Sequence, residues 1–374
     1  MRPPITRLTA VSLFSGAGGM DVGVHESGFE IVLANDIDPD ACATYRLNHG
    51  EVIVEGSITS LMSTFDHLAD VDLVFGGPPC QGFSVAGKMD PSDPRSSMMQ
   101  SFFDVIDTVS PRAFICENVK ALAVLSKWEP VRRELMERAN RNYHATLIVV
   151  NASDFGVPQN RERMFIVGVR KDVIGGSRSA FADLVAEAIF SRRSEAETVG
   201  DLVRRLGRAG SATNSRVCNA KISFAKAPVM RKSPYAGMLF NGAGRPLAAR
   251  GVASTLPASM GGNKTPIVDE AEIFAGEPSF VEQYHARLSK GGKPLLREAP
   301  KRLRRLTVDE CLAIQTFPTD YKMHGSRSAM YRQIGNAVPC RLAAVVATTV
   351  REILETADMA APLAAPLRLA VSNA

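Results

Sequence analysis

The sequence predicts an α/β fold: a doubly wound, mostly parallel sheet with a second, smaller, loop-rich domain. Three observations carry this. Short apolar segments alternate with helical patterns through the first half, as βαβ units require. From about Arg192 the pattern gives way to frequent Gly, Pro, Ser and Asn. Order resumes near residue 306 and ends in one strong helix. With 374 residues, 45% of them hydrophobic, the chain can fill one large core and a smaller one.

Each element has its own justification. "LTAVSLFSG" (8–16) is a buried-strand pattern, and "GMDVGVHESG" (19–28) is a helix ended by Gly28. "EIVLAND" (30–36) is a strand, and "PDACATYRLNH" (39–49) is a helix with Pro39 in its first turn. "VDLVFGG" (71–77) is a strand, "SSMMQSFFDVIDTV" (96–109) an amphipathic helix, and "RAFICEN" (112–118) a strand. "EPVRRELMERANRN" (129–142) is a helix; "HATLIVVNA" (144–152) and "RMFIVGVR" (163–170) are strands. Beyond Arg192 the one clear helix lies around Ala196–Leu206. In "LTVDECLAIQTFP" (306–318), Thr307 is a good N-cap and Glu310 completes a capping box. A helix follows Pro339. The expected units are therefore 1–190, 191–300, a return segment 301–356 and a flexible Ala/Pro-rich tail 357–374.

Charge is unevenly spread. Residues 202–268 contain no Asp or Glu but eleven Lys and Arg, against a net charge of +5 for the whole chain, so the remainder is net acidic. Such a segment is the footprint of a polyanion-binding surface; the plainer alternative is a solvated basic face. The cysteines Cys42, Cys80, Cys116, Cys218, Cys311 and Cys340 are dispersed, which predicts a reducing, cytoplasmic setting and no structural metal. No signal peptide is expected, and no apolar stretch reaches the roughly 20 residues of a membrane span.

"FSGAGGMD" (14–21) joins the first strand to the first helix, where a doubly wound sheet receives a nucleotide-like cofactor. The GxGxxG pattern fails, because Asp21 stands where a third glycine belongs. Asp36 ends the second strand and could bind ribose hydroxyls. An acid within the turn disfavours pyrophosphate. A ribose-bearing cofactor with a cationic end, such as S-adenosylmethionine, suits the turn better; a plain tight turn is the alternative.

The chain then offers, in order, "PPCQGFS" (78–84), "ENV" (117–119), "QNRERMFIVG" (159–168), "RRLTVDECLAIQTFP" (304–318) and "QIGNAVP" (333–339). With "FSGAGGMD", these six blocks resemble the ordered motifs of the DNA cytosine-5 methyltransferases of bacterial restriction–modification systems. They span nearly the whole chain outside the variable segment. The resemblance implies a class I S-adenosylmethionine-dependent, Rossmann-like fold. It also implies Cys80 as the nucleophile at carbon 6 of a flipped cytosine, a role suited to a thiolate in a rigid strand-end loop. Cys116 sits inside an apolar strand and reads as packing.

Glu117, at a buried strand end, could stay neutral and donate to the ring nitrogen, or could simply cap the next helix. The resemblance puts Arg161 and Arg163 at the target base and adjacent backbone, Arg163 at the cytosine carbonyl; an ion pair with Glu162 is the alternative for Arg161. Cofactor contacts carry over to Phe14, Gly16, Gly18, Asp36, Ile37, Pro78 and Asn336, the last also stabilising the loop of Cys80. Where the family often has Gly-Asp-Ile, this chain has Gly56, Ser57 and Ile58, so an uncharged Ser57 and a packing Ile58 would meet the adenine. Double-stranded DNA is the implied partner. Gln81, Ser84, Lys88 and Arg95 fall in the family's closing loop, Thr255 and Leu256 in the target-recognition core, and Gly261 and Gly262 where backbone would approach bases. A monomer working alongside a cognate restriction endonuclease is expected. A tRNA cytosine-5 methyltransferase and a catalytically silent DNA-binding protein are the competing readings.

Overall fold

The computed structural model describes residues 7–68, 70–79 and 98–364, with side chains to residue 360. Its first strands are β1 (Thr9–Leu13), β2 (Glu30–Asp36), β3 (Ile53–Glu55), β4 (Leu73–Gly76) and β5 (Ala113–Val119). They are followed by β6 (Tyr143–Asn151), the short β7 (Gln159–Asn160) and β8 (Glu162–Arg170). The central sheet has seven strands in the order β3-β2-β1-β4-β5-β8-β6. The first five pair in parallel; β8 runs antiparallel to both β5 and β6. Strand order reverses between β1 and β4, which is where a doubly wound sheet opens a crevice at its carboxyl ends.

Helices cover both faces, so the central strands are mostly apolar and β4 is entirely buried. On one face lie α1 (Gly19–Glu26), α7 (Arg178–Phe190) and the final α13 (Cys340–Ala364), sharing a core with Phe75, Ile115 and Phe165. Gly23 permits the crossing of α1 and α13: a Cβ there would lie 2.3 Å from the Cys340 carbonyl. On the other face lie α3 (Met62–Phe65), α4 (Met98–Val109), α5 (Lys120–Val124) and α6 (Glu129–Asn142), packed around Phe102, Phe114 and Trp128. The helix α2 (Pro39–His49) is capped by Asp38, whose side chain accepts from the amides of Asp40 and Ala41.

The segment beyond Arg192 holds α8 (Val199–Leu206), β9 (Phe224–Val229), β10 (Met238–Phe240), β11 (Ala253–Ser254), β12 (Ile267–Asp269), α9 (Glu270–Ala275) and α10 (Phe280–Ser289). It has a small core of its own around Phe224, Phe240 and Tyr284. Two short strand pairings tie it to the segments on either side. β11 pairs with β7, and β12 pairs with β13 (Leu303–Arg305). Then come α11 (Val308–Ile314), opened by the expected capping box of Thr307 and Glu310, and α12 (Arg327–Asn336). A third core joins α8 and Leu256 to these two helices.

The helices depart from expectation in several places, and the short α3, α5 and α9 and the longer α12 are among those not predicted. α7 and α10 were not foreseen, though Ser177 and Ser279 cap them through bonds to the amides of Ala180 and Glu282. α13 continues past Ala357 to Ala364, and Asp358 on this extension pairs with Arg112 at the sheet. No helix among the described residues is long and apolar enough to cross a membrane.

Candidate active site

The turn after β1 is built from left-handed residues: Phe14 (φ 54°), Gly16 (φ 55°) and Gly18 (φ 81°). At Gly16 a Cβ would meet nothing within 4 Å, so backbone conformation rather than crowding favours glycine there. The Gly16 amide donates to Asp36 Oδ2 at 2.7 Å, and the Asp38 amide to Oδ1 at 2.8 Å. Burial raises the Asp36 pKa, and these two backbone bonds oppose the shift. Asp21 is wholly buried. Desolvation pushes its pKa up to about 7, against weaker lowering from Ser12 and Tyr45.

These residues edge a cavity of about 340 Å³ at the carboxyl ends of β1, β2, β4 and β5. Phe14, Gly16, Asp36, Ile37, Ser57, Ile58, Pro78 and Asn336 all line it. Ile37 stands 69% exposed at the rim, a large apolar side chain left for something to cover. The Ser57 hydroxyl is engaged with that of Thr59 at 2.8 Å. Gly18 lies behind the lining, and a Cβ there would strike His49 and Tyr321.

The far end of the cavity holds Glu117 and Arg163. β5 and β8 pair with Glu117 opposite Phe165 and Val119 opposite Arg163. Glu117 and Arg163 are therefore diagonal neighbours on one face. Arg163 Nε donates to Glu117 Oε1 at 2.7 Å, with both side chains largely buried. Burial raises the Glu117 pKa, while the charges of Arg163 and Arg161 pull it back. Gly77 makes room for the carboxyl: a Cβ there would sit 2.9 Å from Glu117 Oε2. Asn118 Nδ2 donates to the Pro78 carbonyl at 3.2 Å, tying the chain that leads to Cys80 to the end of β5. Cys80, Gln81, Ser84, Lys88 and Arg95 lie outside the described residues.

Arg161 is placed differently from its neighbour. It is 2% exposed and donates to the main-chain carbonyls of Leu256 (3.2 Å) and Gly335 (3.0 Å). It thus clamps β11 to α12 rather than presenting a free guanidinium at the cavity. Leu256 is fully buried in the third core, and Thr255 donates to the Asn160 carbonyl at 2.7 Å. The amide of Gly261 (φ 107°) donates to the Thr265 hydroxyl oxygen at 3.0 Å, and a Cβ on Gly262 would meet open space.

Gln159 and Gln315 carry no expected role, yet form a buried relay. Gln159 Oε1 accepts from the Leu256 amide and its Nε2 donates to Gln315 Oε1; Gln315 Nε2 donates to the carbonyls of Ile334 and Ala337. Both glutamines stand within sequence blocks already singled out, and that was their only signal.

The acid-free segment is not uniformly basic at its surface. Arg204, Arg205, Arg216 and Lys221 pair with Asp201, Glu197, Asp309 and Glu298, all outside residues 202–268. Lys226, Arg231, Lys232, Arg245 and Lys264 are exposed and, among the described residues, form no ion pair.

The glycine-rich turn at the sheet's switch point and the buried Glu117–Arg163 ion pair thus line one cavity. The profile of the C-5 cytosine-specific DNA methylases matches residues 8–352, and the chain belongs to that family. Among curated relatives, the type II methyltransferase M1.HphI of Haemophilus parahaemolyticus is 32% identical, covering 92% of this chain and 86% of that protein. M.FnuDI of Fusobacterium nucleatum is 30% identical over 92% of this chain and 94% of its own. The solved structure of the S. pombe Dnmt2 methyltransferase superposes with a TM-score of 0.64 at 20% identity, covering 94% of this chain and 99% of that one.

Proposed function

We propose that this enzyme transfers the methyl of S-adenosylmethionine to carbon 5 of a flipped-out cytosine in a specific duplex DNA sequence, with Cys80 as the nucleophile. One observation carries the reading: Asp36 on its turn and the Glu117–Arg163 pair line the same cavity. The residues fit the cofactor. Asp36 suits ribose hydroxyls, Ile37 offers an apolar cover, and the acid-bearing turn has no basic residue for a pyrophosphate. When bound, the cofactor supplies an electrophilic methyl on a sulfonium.

The protein's own groups do the rest. Carbon 5 of cytosine is a poor nucleophile. Addition of the Cys80 thiolate to carbon 6 forms an S–C bond and moves the ring's electrons toward carbon 5. Glu117, kept toward its neutral form by burial, donates to nitrogen 3 and offsets the charge that addition places there. Arg163 holds that carboxyl and meets the cytosine carbonyl. After methylation water takes the proton from carbon 5, its electron pair reforms the 5,6 double bond, and the S–C bond breaks to restore the Cys80 thiolate. Flipping is required because the reacting face is stacked within the duplex. The exposed cations of residues 226–264 engage phosphates, and loops of 191–300 read the bases. The names of the relatives support a place beside a restriction endonuclease.

Bisulfite sequencing of DNA from cells expressing the protein tests this. One cytosine in a short recurring sequence should be protected, and protection should vanish in Cys80→Ser. Methylation of tRNA with unmodified DNA would favour the tRNA reading instead.

A further inference from the structure

The cofactor turn is held from behind by groups distant in sequence. The Tyr321 hydroxyl donates to the carbonyl of Ala17, 304 positions away. A carbonyl only accepts, so the tyrosine proton is committed there. His49 Nε2, 3.0 Å from the same hydroxyl, is then the donor to it. His49 stays neutral at working pH, its pKa lowered to about 4 by burial and then by the charge of His25. Tyr45 lies tilted against His49, ring centroids 4.5 Å apart, and sends its own hydroxyl to Asp21 Oδ1 at 2.9 Å.

These three rings back the turn closely. A Cβ on Gly18 would lie 2.6 Å from His49 Nε2 and 2.8 Å from the Tyr321 hydroxyl. Neither His49 nor Tyr321 lines the cavity, whereas Gly16, Ala17 and Gly19 do. The turn packs three left-handed residues into five positions; glycine takes that conformation freely at Gly16 and Gly18, while the non-glycine Phe14 is strained in it.

We propose that Tyr321 and His49 are positioning residues for the cofactor: they fix the Ala17–Gly18 peptide so that the turn presents its main chain to the cavity. The inference rests on the cofactor reading above. It gives the return segment, which already lines the cavity through Asn336, a second part in the cofactor site from behind the turn.

The test uses the full chain and S-adenosylhomocysteine as the calorimetric probe. Tyr321→Phe removes one hydroxyl while keeping the ring against Phe317, centroids 4.7 Å apart. Tyr321→Phe and His49→Ala should each weaken probe binding roughly tenfold, the scale of one lost hydrogen bond. The KM for the cofactor should rise likewise, with the Kd for DNA unchanged. His49→Gln, which restores a donor, should recover part of the loss. Unchanged probe affinity in Tyr321→Phe, or equal weakening toward probe and DNA, overturns the inference. If Tyr321→Phe does not fold, the His49 pair decides: wild-type affinity in His49→Ala overturns it. A wild-type protein that binds no probe overturns the cofactor reading instead.

Discussion

The sheet half and the segment 191–300 position their functional side chains by different means. In the sheet, register does it: one offset between β5 and β8 brings Glu117 to Arg163, and parallel pairing of β4 with β5 sets Gly77 beside the carboxyl. In the segment, loops are pinned by buried arginines that bond main chain. Arg305, 1% exposed, donates to the Thr265 carbonyl at 2.7 Å and to the Asn241 carbonyl and side-chain oxygen at 3.2 and 3.1 Å. Arg161 does the same for Leu256. The Glu117–Arg163 pair thus rests on a lattice of paired strands. On the proposed function, the loops that would read DNA take their shape from a few such polar side chains.

Breaking the sheet side should abolish turnover and spare DNA binding. Cys80→Ser should lose methyl transfer by several orders of magnitude in single-turnover assays, with an unchanged DNA Kd. Glu117→Gln should lose roughly 10²–10⁴-fold, the usual range for a general acid. If Glu117→Gln methylates normally, the acid has no part in the reaction.

Breaking the other side should do the reverse. Arg305→Met frees the loops at 241–245 and 261–265. It should weaken specific DNA binding at least about tenfold and cost about 2–3 kcal/mol of stability from its lost hydrogen bonds. Cofactor Kd, read by calorimetry, should not move. A parallel loss of cofactor affinity would show that the two regions are not separable.

A third experiment sharpens the sheet side alone. The folded pKa of Asp21 is raised from 3.8 to about 7, chiefly by burial. The favourable contribution of its protonated form is complete below pH 3.8 and lost as pH climbs through 7. Asp21→Asn should remove that decline and raise the melting temperature at pH 8. Parallel melting-temperature curves for variant and wild type from pH 4 to 8 would contradict it. The smallest effects belong to single surface cations. Ala at Lys226, Arg231 or Lys264 should lower the salt slope of DNA binding by about 1 each, equally for specific and random sequences. No change at any of the three would place the phosphate track elsewhere.

The same contrast explains what could be read in the sequence. Strand ends are local features, so Asp36 and Glu117 announced themselves as the polar residues closing apolar runs. The partners of Arg161, Gln159 and Tyr321 lie 95, 156 and 304 positions away, and no periodicity points across such gaps. Thr255 and Leu256 were legible as a pair but not in their parts, since one is exposed and the other forms core. The helix α10 was readable in principle: Ser279 and Glu282 have capping spacing. Gly and Pro on either side of it drew attention to loops instead.

The central claim is that Cys80 adds covalently to the target base beside Glu117. Duplex DNA carrying 5-fluorocytosine tests it most directly, because fluorine at carbon 5 cannot leave as a proton does. Incubation with cofactor, followed by denaturing electrophoresis and peptide mass spectrometry, should show a stable protein–DNA adduct on Cys80. The adduct should form more slowly in Glu117→Gln and not at all in Cys80→Ser. An adduct that persists in Cys80→Ser, or normal methylation of cytosine with no trapped complex from the wild type, would contradict the account.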